Sequence, residues 1–105
     1  MTIEEDIMKK VRITWLKTDG SRLEEIRPVP AGTDFSDAAS NQEIHDFLGG
    51  PLEYVALGAQ RMFYCHEEGK YEGLPFNEAA SAIFFHAHGH VDPIAGNVVM
   101  FEAVR

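Results

Sequence analysis

Between Leu48 and Val99 the chain is cut into short pieces by residues that stop or start regular structure. This punctuation constrains the fold more than any other feature. Gly49-Gly50-Pro51 ends a helix, because glycine adopts a left-handed C-cap freely and proline cannot continue the helix. Glu67-Glu68-Gly69-Lys70 is a turn with glycine at the permissive place. Leu74-Pro75-Phe76-Asn77 starts a helix, with Asn77 as N-cap and Glu78 near the positive end of the helix dipole. Gly89 ends that helix, and Asp92-Pro93 and Ala95-Gly96-Asn97 turn the chain again. A chain so interrupted folds from short elements.

The pieces have identifiable periods. Val11, Ile13 and Trp15 alternate with Arg12 and Thr14, as in a half-buried strand. Thr18 to Ser21 is a turn, and Leu23 to Val29 returns as a second strand whose Pro28 and Pro30 suit an edge or an exit. Pro30 to Asp37 reads as a loop. Ser40 and Glu43 have capping-box spacing, and Ile44, Phe47 and Leu48 form the apolar stripe of a short helix. Leu52–Leu57 and Arg61–His66 read as a hairpin in the middle of the sheet, joined at Gly58-Ala59. Tyr71 to Pro75 reads as short and extended. The second helix runs from Ala79 to Ala87, with small residues followed by Ile83, Phe84 and Phe85. Val98 to Val104 is a final strand, apolar enough to be central or well covered. The order is ββαββαβ. It predicts one α+β domain over residues 10–105 behind a flexible arm at 1–9, with two helices on one face of a mostly antiparallel sheet of about five strands.

Charge narrows the partners. The net charge is −8, and acid exceeds base in both halves. Nucleic-acid backbones and anionic membranes select clustered Lys and Arg, so neither is an expected partner. Cys65 is the single cysteine, so no intrachain disulfide forms and a reducing cytoplasm fits. The start, MTIEEDIMKK, lacks the apolar run of a secretory signal, and no segment approaches the ~18 apolar residues of a spanning helix. The expected location is cytoplasmic.

Several residues suggest chemistry, and each also has a structural explanation. His86, His88 and His90 form an alternating set, and imidazole suits zinc. Finger, ribbon and H-E-x-x-H spacings are absent, however, and histidines at a helix C-terminus also favour the dipole there. No cofactor is expected, with zinc on these histidines as the alternative. Cys65 and His66 are adjacent, but strand neighbours point to opposite faces, so Cys65 reads as a small buried hydrophobe. Glu67, Glu68, Glu72 and Glu78 read as a solvated rim, and the cap explains Asn77. No catalytic set emerges. The chain has more aromatic residues than one small core needs, and Tyr71, Phe76 and Phe85 are the candidates for an interaction surface or a homodimer contact.

The Gly49-Gly50 stop, the turn at 67–70, Leu74-Pro75-Phe76-Asn77 and Ile94-Ala95-Gly96-Asn97-Val98-Val99 together resemble a family of small phage and bacterial proteins, a domain of unknown function. The resemblance covers roughly residues 44–102; Cys65-His66 and the histidines ending the second helix depart from its pattern. It implies a phage or prophage setting and an accessory role, and it brings no catalytic residues. The leading expectation is a non-enzymatic interaction protein that binds a host or defence protein. The alternatives are a metal-binding protein or metal-dependent hydrolase built on His86, His88 and His90, and a DNA mimic or nucleotide sponge.

Overall fold

The alternating and capped segments fold around one five-stranded sheet. A computed structural model describes residues 8–104. The strands are β1 (Met8–Leu16), β2 (Arg22–Pro30), β3 (Leu52–Gly58), β4 (Arg61–His66) and β5 (Val98–Val104). The helices are α1 (Asn41–Leu48) and α2 (Glu78–His88), and a 3-10 turn spans Phe35–Ala38 in the stretch read as a loop. β1 takes in Met8 and Lys9, which the sequence reading assigned to the arm; residues 1–7 of that arm lie outside the described residues.

The caps form as local chemistry requires. Ser40 Oγ accepts the Glu43 amide while the Glu43 carboxylate accepts the Ser40 amide, closing the capping box of α1. Gly49 ends α1 in the left-handed region at φ 82°. Asn77 Oδ1 accepts the Ala80 amide at 3.0 Å at the start of α2.

The sheet order is β2-β1-β5-β4-β3, and every pairing is antiparallel. This corrects the placement of the β3–β4 hairpin. β5 inserts between β1 and β4, so β4 is interior and β3 is an edge. The burial of each strand explains the order. β5 buries Val98, Val99 and Phe101 completely and needs neighbours on both sides, whereas β3 leaves Glu53, Tyr54 and Ala56 exposed.

The helices lie on opposite faces, not on one. Val11, Ile13, Met62, Val99 and Phe101 share a face by register and pack with Ile44 and Leu48 of α1. On the other face Leu16, Phe63, Cys65 and Val98 pack with Ala80 and Phe84 of α2. Both faces of the central strands are apolar, and a single layer of helices would leave one of them wet. Burying a phenylalanine such as Phe63 or Phe101 contributes about 2 kcal/mol each, which is ample reason for two-sided cover. No helix among the described residues is long and apolar enough to cross a membrane.

The segment after β4 is curled, contrary to the extended reading of Tyr71 to Pro75. Glu72 N–H donates to Glu68 O and Leu74 N–H to Gly69 O, and Gly73 supplies a positive φ of 70°. The segment is zipped to the loop before β5 through the Phe76–Ala95 bridge and the Gly96 N–H to Pro75 O bond.

Candidate functional site

Alternation sends Glu53, Val55 and Cys65 to the α2 face of the β3–β4 hairpin. The C-terminal half of α2 crosses above them, and the curled loop closes one side. A cleft of about 480 Å³ remains between α2 and the β3 edge. Phe84 and His88 form its α2 wall, and Lys70, Tyr71 and Asp92 its loop wall. Lys70 Nζ lies 2.6 Å from Asp92 Oδ1, an ion pair that joins the two loops. Tyr71 stands 94% exposed at the mouth.

α2 is held in place from its N-cap. Asn77 is 1% exposed, and its Nδ2 donates to Leu16 O at the end of β1 and to Gly96 O before β5. The same side chain thus caps the helix and staples it to two strands. Farther along, Ser81 Oγ donates to Asn77 O and accepts the Ile94 amide at 2.8 Å. At the other end His88 stacks on Phe84, ring centroids 4.4 Å apart, and its Nε2 lies 2.7 Å from Ala56 O on β3.

Of the three histidines read as an alternative zinc set, two come together and His86 stands apart. His88 and His90 both lie against Phe84, with ring centroids 6.0 Å apart, while the His86 ring lies beside Phe85. Among the described residues no three His, Cys, Asp or Glu side chains come close enough to share a metal ion.

Cys65 and His66 point to opposite faces, as parity requires. Cys65 is buried on the α2 side, and desolvation pushes its thiol up to about 12, so it stays protonated near neutrality. His66 is buried on the other side against Gly50, where an added Cβ would stand 2.3 Å from the His66 Nε2. Its Nδ1 accepts the Glu68 amide at 3.0 Å, and its Nε2 faces Glu72 Oε2 at 2.8 Å. An accepting Nδ1 puts the proton of a neutral ring on Nε2, where it is donated to Glu72. Glu68 and Glu72 therefore share one histidine, through a backbone amide and a carboxylate, while Glu78 stands apart in the first turn of α2.

Tyr71, Phe76 and Phe85 are all exposed. Tyr71 lines the cleft; Phe76 and Phe85 do not. Phe84 turns into the core while its neighbour Phe85 stays 46% exposed, as helical geometry demands of adjacent residues. The sequence reading missed the β3 edge and the His88–Ala56 contact. The only local sign of them is parity along Leu52–Leu57, which has meaning once β3 is known to be outermost.

The family model that matches this chain spans residues 9–104 and is described as Domain of unknown function (DUF3846). The chain belongs to this family. The match runs from the second residue of β1 to the end of β5, and so includes both walls of the cleft in this DUF3846 domain. No curated protein and no solved structure matches it significantly.

At the opposite end of the sheet a second, shallower hollow of about 630 Å³ lies between β2 and α1. Trp15, Glu25, Arg27 and Glu43 bond one another along it. Arg27 reaches Glu43 at 2.9 and 3.1 Å, pairs with Glu25, and donates to Ala38 O, while Trp15 Nε1 donates to Glu25. The Arg27 bonds, aided by the Ser40 amide, lower the Glu43 carboxyl from 4.5 to about 2. This end of the DUF3846 domain is tied, while the cleft end is open.

Proposed function

We propose that this protein acts by binding another protein rather than by catalysis. It serves as an accessory protein of phage or prophage origin that engages a host or defence protein in the cytoplasm. The observation that carries the reading is Tyr71, 94% exposed beside an open cleft whose rim bears Glu53 and Glu67. An aromatic ring held in water on a folded loop gains most when a partner covers it, and Tyr is enriched among binding hot spots. The phage setting rests on the sequence resemblance. The test is affinity capture from bacterial host lysate, with Tyr71→Ser as the control. A partner retained by the wild type and depleted at least tenfold by the substitution supports the reading. Recovery of nothing above background, or of the same partner equally with both proteins, counts against it.

A further inference from the structure

We propose that the outer edge of β3, beside the cleft under α2, docks an extended segment of a partner protein with a lysine or arginine opposite Glu53. The inference deepens the binding reading above and rests on it.

The direction of the β3 backbone groups follows from the pairing. Glu67 N–H donates to Pro51 O, and the register continues as Leu52 with His66 and Glu53 with Cys65. In an antiparallel ladder hydrogen-bonded and non-hydrogen-bonded pairs alternate. Glu53 and Val55 therefore bond to β4, and Leu52, Tyr54 and Ala56 turn their N–H and C=O groups outward. His88 confirms the parity, because its Nε2 meets the outward carbonyl of Ala56. Among the described residues the edge is thus closed at Ala56 and open over Leu52 and Tyr54.

An extended chain added there would gain main-chain bonds from Leu52 and Tyr54, and its alternate side chains would face the cleft on the Glu53 side. Charge selects the occupant. Among the described residues neither Glu53 nor Glu67 is paired with a cation. A second copy of this chain is disfavoured in the two antiparallel registers centred on Glu53 and on Tyr54. Pairing Leu52 with Tyr54 of the copy sets Glu53 directly across from Glu53 of the copy, and like charges directly opposite are destabilising. Shifting to pair Tyr54 with Tyr54 of the copy requires the Ala56 carbonyl that His88 holds. A basic residue opposite Glu53 removes the first obstacle and needs no bond to Ala56.

The other edge shows what a guarded strand looks like here. Lys17 N–H donates to Ser21 O, so the same alternation turns the even-numbered residues of β2 outward. Pro28 and Pro30 occupy two of those positions and offer no N–H. β3 carries no proline at Leu52, Tyr54 or Ala56.

The test titrates uniformly 15N-labelled protein with two capped heptapeptides, Ac-Thr-Val-Thr-Lys-Thr-Val-Thr-NH2 and its counterpart with Glu in place of Lys. Saturable shifts at the Leu52 and Tyr54 amides, about fivefold tighter for the Lys peptide, are expected from cross-strand charge pairing. Glu53→Lys should reverse the preference. Tyr54→Pro should abolish the Leu52 shifts with the spectrum away from Tyr64 retained, since it removes an outward donor and the edge-on contact with the Tyr64 ring but no bond to β4. Absence of saturable β3 shifts, equal response to both peptides, or binding that survives Tyr54→Pro overturns the proposal. Concentration-dependent β3 shifts without peptide also overturn it, by making a second copy the occupant. If a partner captured by the wild type is held equally by Tyr54→Pro, the edge is refuted while the binding reading stands; if the wild type captures none, the binding reading itself fails.

Discussion

The two ends of the sheet solve the same problem with different physics. At the β2 end the edge strand is tied to α1 by Arg27, Glu43 and Glu25, all partly solvent-exposed, and is blunted by Pro28 and Pro30. At the β3 end the helix that backs the edge is held by the neutral, buried side chain of Asn77, and among the described residues the edge itself is covered only where His88 reaches Ala56. One end is an ionic clasp over a guarded strand. The other is a rigid backing behind an open strand, which is the arrangement a docking edge needs: the support must not move when the edge is occupied.

The comparison predicts unequal and differently conditioned losses. Asn77→Ala should cost the most, about 3 kcal/mol, because it removes a cap, takes the side-chain donor from the buried Gly96 carbonyl and strips one of two donors from the Leu16 carbonyl, which keeps its ladder bond to Val98. Urea denaturation should give this loss equally at low and high salt, since no charge is involved. A loss that shrinks markedly with salt would mean that α2 is held by charge after all, and the contrast between the two ends would collapse.

Glu43→Gln should cost less, about 1 kcal/mol, because the carboxylate is 41% exposed and solvent screens much of its attraction to Arg27. Its dependence on pH is the sharper signature. The folded value lies at about 2 against an ordinary 4.5, so the carboxylate's contribution is complete above 4.5. It is lost as pH falls from there toward 2. Wild type and Glu43→Gln should therefore differ in melting temperature at pH 7 and converge toward pH 2, while Asn77→Ala stays displaced throughout. A Glu43→Gln difference that persisted unchanged at pH 2 would show that the clasp is geometric and not ionic.

The features legible in the sequence are those set by local chemistry. The capping box at Ser40, the left-handed Gly49 and the Asn77 cap depend on neighbours within one turn. The split of Cys65 from His66 and of Phe84 from Phe85 needs only strand and helix periods. Long-range choices were hidden. Nothing local in Val98–Val104 says that it enters between β1 and β4, and that choice decides that β3 is an edge and that both sheet faces need a helix. The fit of His66 against Gly50 and the staple from Asn77 to Leu16 and Gly96 likewise join segments that only the finished fold brings together. For the site, the surplus of aromatics pointed to Tyr71, but the cleft beside it follows from the position of β3.

The smallest expected effect on stability tests the guarded edge directly. Thr at both positions in Pro28→Thr/Pro30→Thr would restore two outward N–H donors to β2 without touching its bonds to β1, so stability should change by only about 0.5 kcal/mol. Association should change far more. An edge strand with a full row of donors is a template for pairing, and Ile26 and Leu23 already leave exposed apolar surface on the same strand. Light scattering across a concentration series should show the double variant self-associating under conditions where the wild type does not. If it stays as the wild type does, the guard lies elsewhere, in the charges of Arg22 and Glu24 at two of the three remaining outward positions. Those charges would then be the device to transplant onto β3, and Tyr54→Glu should close that edge as effectively as Tyr54→Pro.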